Sequence, residues 1–451
     1  MKQIVLFAFL LASFAFAQAD SLKAEIIKDI RKMGSNYYAY PTPTTKYTKA
    51  PAGYKPFYLT HYGRHGSRFH QPADHYHELY GTLSRADSLG KLTELGKSLL
   101  ERAKFLDEYA APRAGDLTQL GVQQHQGIAK RMVKNFPEIF RKDSHIEAYA
   151  STSVRCVVSM AAFLEELRAQ NPKLDIHQES GKYLMNFISP LDFGKIINES
   201  NTPAWQKENE KLYSHVNPDR MMRSLFNDTA YIKNNVNAGE LYSRIFEIGN
   251  SLQGSPEIEF SFDDLWTADE LYERWRAQNA WWYSVLGNAP FAQKQGLDNA
   301  RPLLKNFIEV ADKVIAADTA KAEKKTGAAV NKPKQKTSAT LRFGHDTVIF
   351  PFVALLQLGT AGTETSDMEN LHKVYRDFEI SPMAANVQII FYKSASKGSP
   401  ILVKVLHNEL EQIIPVECEN KDKNCPAAPY YRWDDFRKFY SALREPQSPR
   451  R

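Results

Sequence analysis

The sequence predicts an α/β protein, with a central sheet flanked by helices and interrupted by a mostly helical insertion. Three observations predict it. Strand, turn and helix recur near 57–68, 146–168 and 339–358, the alternation that builds a parallel sheet. From about Tyr183 to Val314 convincing strands give way to long polar and aromatic helical stretches. The chain also has 451 residues, 43% of them hydrophobic and 24% charged, enough to bury a sizeable core.

The first residues read as an export signal. Lys2 precedes an apolar run over 4–16, and Ala15, Ala17 and Ala19 offer cleavage after Ala17 or Ala19. A signal peptide over 1–19 and a periplasmic or secreted product are therefore expected. Asp20 and Lys23 follow too soon for a spanning helix, and no later stretch is apolar for long enough, so no stable membrane insertion is expected. The first cysteine is Cys156, which excludes lipid attachment at the cleavage point.

A helix over 21–33 and a Pro- and Tyr-rich loop over 34–56 lead to the first strand, 57–60. Apolar residues at helical spacing follow over 92–109 and 118–136, then a strand at 146–150, a hydroxyl-rich turn, and a helix over 155–168. These belong to an α/β domain assembled from 20–182 and 315–451, with 183–314 as a helical insert. The clearest insert helix is 269–286, where Thr267 and Glu270 form a capping box and Gly287 closes the helix. Trp205, Trp266, Trp275, Trp281 and Trp282 also lie in the insert and are expected to pack its core. Residues 318–336, rich in Ala, Lys and Thr, read as a mobile surface loop. Strands at 339–343, 386–393 and 401–406 and helices at 348–358 and 434–443 complete the sheet domain.

The net charge of +6 fits an anionic small-molecule substrate, and the lysine-rich stretch lacks the aromatic interleaving of a nucleic-acid binder. Cys418 and Cys425 lie close together in a loop-like segment where export would permit a bridge; their spacing leaves open whether they are joined. Cys156 reads as a buried, inert thiol.

Three strand ends carry reactive side chains. Arg64, His65 and Arg68 follow the first strand, with Gly63 and Gly66 granting the turn backbone freedom. Arg155 follows the second, and His345 with Asp346 follows a later one. Ligands of open α/β sheets bind beyond the carboxyl ends of the strands, where helix N-termini add N–H donors. Guanidinium forks suit phosphate oxygens, and imidazole beside such cations stays neutral and nucleophilic. His61 is a further candidate for the pocket. Among His70, His75 and His77 no matching carboxylate or cysteine set stands nearby in sequence, so no metal is assigned and no cofactor is demanded.

Arg64-His65-Gly66-x-Arg68 together with the late His345-Asp346 resembles the histidine acid phosphatase family, within the histidine phosphatase superfamily of phosphoglycerate-mutase-like fold. The likeness covers nearly the whole chain beyond the signal, including the insert and Asn408-Glu409. It implies that His65 accepts the phosphoryl group, that Arg64, Arg68, Arg155 and His345 bind the phosphate, and that Asp346 protonates the leaving alcohol. The insert around 279–283 resembles the multiple inositol polyphosphate phosphatases, although these carry His-Ala-Glu where this chain has His345-Asp346-Thr347. Phytase-like fungal relatives follow the second arginine with x-Pro, whereas Phe69 and His70 stand here. The expectation is an exported acid phosphomonoesterase acting on inositol polyphosphates. Its alternatives are a broad phosphatase on sugar phosphates or nucleotides, and a non-catalytic binder of phosphate ligands.

Overall fold

The computed structural model describes residues 22–443, apart from 45, 143, 191–192, 293–294, 325–335, 397 and 420–424. The expected signal over 1–19 lies outside the described residues. Among those described, an eight-stranded mixed sheet carries β1 (Tyr54–Arg64), β2 (His145–Ala150), β3 (Asp175–Ser180), β4 (Thr337–Gly344), β5 (Asn386–Ser394), β6 (Leu402–His407), β7 (Leu410–Glu411) and β8 (Tyr431–Arg432). The spatial order is β3-β2-β4-β1-β5-β6-β7, with β8 also on β6. Strands β3, β2, β4 and β1 run parallel, and β5 returns antiparallel against β1. The carboxyl ends of β2, β4 and β1 thus share one edge.

Helices α1 (Asp74–Ser88) and α2 (Glu94–Tyr109) follow β1, and α3 (Gln119–Asn135) and α4 (Val154–Gln170) flank β2. Thr93 and Thr118 start α2 and α3 by accepting from the Gly96 and Gly121 N–H groups, each satisfying one otherwise orphan donor. Between β3 and β4 the described residues hold no strand; among their helices are α5 (Ala238–Ser251), α6 (Ala268–Leu286) and α7 (Arg301–Lys324). The Thr267–Glu270 capping box of α6 is formed as expected. α8 (Asp346–Leu355) follows β4.

One face of the sheet packs Leu59, Ile146 and Leu341 against Ile128, Phe163 and Leu167 of α3 and α4. The other packs Tyr58, Val387 and Phe391 against α6, α7 and α8. Val348, Ile349, Phe350, Phe352 and Val353 of α8 are all fully buried, and at about 2 kcal/mol per side chain they hold that helix as a fixed platform behind His345 and Asp346. A third cluster joins α1 and α2 to residues of 221–265, so the helical layer draws on both sides of β2 in sequence.

The structure departs from the sequence reading at β3 and in the stretch over 318–336. β3 has an Asp-Ile-His-Gln-Glu-Ser sequence with four of its six positions exposed, which leaves no apolar period to see. The first part of the loop expected over 318–336 is helical instead, because α7 continues to Lys324; Ala and Lys favour helix where nothing breaks it. Residues 325–335 lie outside the described residues. Cys418 and Cys425 are joined in a disulfide, and Cys156 is buried and unpaired. No described helix is long and apolar enough to cross a membrane.

Candidate active site

β1 ends with Arg64, and the His65 N–H continues the ladder to the Gly344 carbonyl at 2.9 Å. The Ser151 N–H does the same from β2 to the Phe343 carbonyl, at 2.9 Å. Three adjacent parallel strand ends therefore deliver Arg64 and His65, the Ser151 turn leading to Arg155, and His345 with Asp346 to one place. Neither Gly63 nor Gly66 has a positive φ, so the expected need for backbone freedom is replaced by one for close approach. A Cβ on Gly66 would stand 2.5 Å from the Gly121 carbonyl oxygen at the start of α3.

His65 is 1% exposed. Its Nδ1 lies 2.9 Å from the Gly66 carbonyl. A carbonyl only accepts, so Nδ1 carries the proton and Nε2 keeps a free lone pair. Burial pushes the imidazole well below its ordinary pKa, and Arg64, Arg155, Arg68 and His345 add to the shift. All of these favour the neutral ring.

Arg64 is fully buried, donating to the Asn36 carbonyl at 2.5 Å and the Ser381 carbonyl at 2.9 Å. Its Nη2 stands 2.7 Å from Asp346 Oδ2, an ion pair not aligned as a hydrogen bond. Arg68 donates to the Tyr37 hydroxyl at 3.3 Å and the Phe69 carbonyl at 3.0 Å. Arg155, at the start of α4, reaches His345 Nδ1 at 3.5 Å. A guanidinium only donates, so His345 accepts at Nδ1 and gives its Nε2 proton to Ser151 Oγ at 2.9 Å. Burial, then Arg155, takes this imidazole down to about 4. The Nε atoms of Arg64, Arg68 and Arg155 are buried without a hydrogen-bond partner among the described residues.

Asp346 receives the Asn36 side-chain amide at 2.8 Å on Oδ2 and the Thr347 N–H at 2.9 Å on Oδ1. Burial pushes its carboxyl up, but Arg64, Arg68 and His345 outweigh that and hold it below the usual value. Three guanidiniums thus face one carboxylate, a surplus of positive charge fit for a phosphate dianion.

Arg68, Arg155, His345 and Asp346 line a cavity of about 690 Å³ whose far wall includes Arg274 and Trp281 from α6. His65 is not on the lining; its ring centroid is 5.8 Å from that of His345. His61 does not reach the cavity. It lies inside β1, its ring against Phe163 and Phe343 and under α4, and burial takes it down to about 3. Asn408 and Glu409 instead make the β6–β7 turn, both at positive φ, with Glu409 paired to Arg131 at 2.7 Å.

A family model described as the histidine phosphatase superfamily, branch 2, matches residues 63–408. The chain belongs to that superfamily branch. Multiple inositol polyphosphate phosphatase 1 of Dictyostelium discoideum is 32% identical over 88 residues, 18% of this chain and 14% of that protein. The multiple inositol polyphosphate phosphatase of Bifidobacterium longum, solved with phosphate, superposes with a TM-score of 0.71 at 17% identity, covering 92% of this chain and 98% of that one. The D. castellii phytase superposes with a TM-score of 0.61 at 15% identity, covering 92% and 85%. These likenesses show the shared fold.

Within this family site, the sequence reading missed Asn36 and Tyr37. They sit in a 3-10 segment, Ile30–Tyr37, where Ser35 takes φ +58° and its hydroxyl bonds the buried Asp377. Gly34-Ser35-Asn36 is turn chemistry inside the expected loop, and only the tertiary contact shows that it faces the site.

Proposed function

We propose that the chain is an exported acid phosphomonoesterase working through a phosphohistidine on His65, with inositol polyphosphates as its substrate class. The observation that carries it is the pinning of His65 Nδ1 by the Gly66 carbonyl, which leaves Nε2 as the nucleophile beside three arginines. In the first step Nε2 attacks phosphorus and the bond to the ester oxygen breaks. Asp346 passes a proton to that oxygen, and the alcohol departs. In the second step water attacks the phosphohistidine, gives a proton to Asp346, and the N–P bond breaks. The arginines neutralise the equatorial oxygens, and protonated His345 adds a donor once the dianion offsets the arginines' field. Because Asp346 begins ionised beside Arg64, the first step gains from acid, and an acidic optimum follows.

The names of the inositol phosphate relatives and the basic cavity favour a polyphosphorylated small molecule. The test is a phosphate-release screen with inositol hexakisphosphate beside simple esters for the wild type and His65→Ala. Release should vanish in His65→Ala; undiminished release refutes the mechanism, and release from simple esters alone refutes the substrate class. Export rests on residues 1–19, and N-terminal sequencing of the mature protein should begin after Ala17 or Ala19.

A further inference from the structure

His70, the second residue after Arg68, leaves the catalytic turn and meets two other segments. Its Nε2 is 2.8 Å from His75 Nδ1, at the start of α1. Glu247 Oε2, from α5, lies 3.8 Å from His70 Nε2 and 3.4 Å from His75 Nδ1. Among the described residues these three form the one group of such ligand atoms within 4.8 Å of one another. The bonds of about 2.0–2.1 Å that zinc makes to nitrogen and oxygen put the ligand atoms of a tetrahedron roughly 3.3 Å apart. The triangle is already near that size; an ion would spread the two nitrogens by about half an ångström and draw in the carboxylate.

The surroundings fit a metal ligand at His70. Its Nδ1 stands 2.7 Å from the Tyr37 hydroxyl, the outer hydrogen bond that fixes the tautomer of a metal-bound imidazole. The ring is 2% exposed. Arg244, the other nearby cation, is held by Glu78 and Glu240. His77, which the sequence sets beside His75, turns away to Asp107 at 2.5 Å. We propose that His70, His75 and Glu247 bind a tetrahedral divalent ion of the zinc kind. Its fourth position is left for water or a substrate oxygen, since His70 and Glu247 both line the cavity. The ion staples the catalytic turn, α1 and α5, and reaches Arg68 through Tyr37.

The rival is a metal-free proton chain, His75 to His70 to Tyr37, with Glu247 as a counter-charge. Untagged full-length protein, stripped with a chelator, is titrated with zinc by calorimetry at pH 7. One equivalent should bind, and cobalt in its place should give tetrahedral ligand-field bands. His75→Ala and Glu247→Gln should each weaken zinc at least tenfold, Tyr37→Phe about tenfold, and His77→Ala not at all. Zinc should also raise the melting temperature of the wild type and not that of His75→Ala. Glu247→Gln keeps the shape of the side chain should His75→Ala fold poorly. No zinc uptake by the wild type, uptake undiminished in both ligand variants, or an equal loss in His77→Ala would overturn the site.

Discussion

Asp346→Asn separates the acid role proposed for the carboxylate from its place as a counter-charge to Arg64. As a proton donor it acts only when the leaving oxygen needs a proton, and positioned acids contribute roughly 10²–10⁴ in rate, or about 2.7–5.4 kcal/mol. As a counter-charge it faces Arg64 across 2.7 Å, with side chains 0% and 12% exposed. Breaking such a pair costs up to about 3–5 kcal/mol of stability. An asparagine that keeps its oxygen toward the Thr347 N–H must turn its amide on the donors of Asn36 and Arg64. The variant should therefore melt earlier and yet bind inorganic phosphate more tightly, because a negative charge has left the cradle. Steady-state turnover should fall by the full 10²–10⁴ on alkyl esters such as glycerol phosphate, and by less than about tenfold on p-nitrophenyl phosphate, whose leaving group departs unprotonated. Equal losses on both esters would refute the acid role and leave Asp346 as an anchor for Arg64.

Gly66→Ala should cut turnover by at least about tenfold with a modest loss of stability, since its Cβ would meet backbone 2.5 Å away and displace His65; an unchanged rate would show that α3 gives way instead. His61 and His125 are held neutral, each at about 3. Their folded values lie below the ordinary 6.5, so the stability they contribute is present above that pH and is lost as pH falls toward 3, on the order of 5 kcal/mol apiece at the limit. His61→Leu should flatten the urea midpoint against pH in that window, and parallel curves for variant and wild type would discredit the assignment. Reducing Cys418–Cys425, seven residues apart, should cost about 2 kcal/mol by loop closure, read as the difference in melting with and without reductant.

Much of the site could be read from the chain because each parallel strand must end where its helix begins. Arg64, His65, Arg155, His345 and Asp346 all sit within five residues of a strand end, and the topology supplied their meeting. The Thr267 cap was legible for a similar local reason: it bonds an N–H three residues on. What stayed hidden depends on distant contact. Asn36 reaches Asp346 across 310 residues of sequence, and nothing in Gly34-Ser35-Asn36 announces that partner. His61 looked like a pocket residue through its nearness to Arg64, whereas three residues of extended chain span roughly 10 Å, enough to bury it under α4. β3 escaped because an exposed edge strand needs no apolar face.

The sheet and the helical layer divide the site between them. The groups that would touch the transferred phosphoryl group stand on a strand end, on the turn after β1 or on the first turn of α4 or α8. The opposite wall is made by Tyr213, Phe246, Arg274 and Trp281, outside the parallel strands. Arg274 is 3% exposed, stacks on Phe246 at 4.3 Å, and faces no carboxylate within ion-pair distance among the described residues. Under the proposed function, chemistry and recognition are thus carried by different parts of the chain. Changes in α6 should alter which esters are accepted without altering the dependence of turnover on His65 and Asp346, because no side chain of α6 takes part in the cradle's hydrogen bonds. The catalytic turn, through Arg68 and its neighbour Tyr37, touches both the phosphate cradle and the side of the cavity where Glu247 stands.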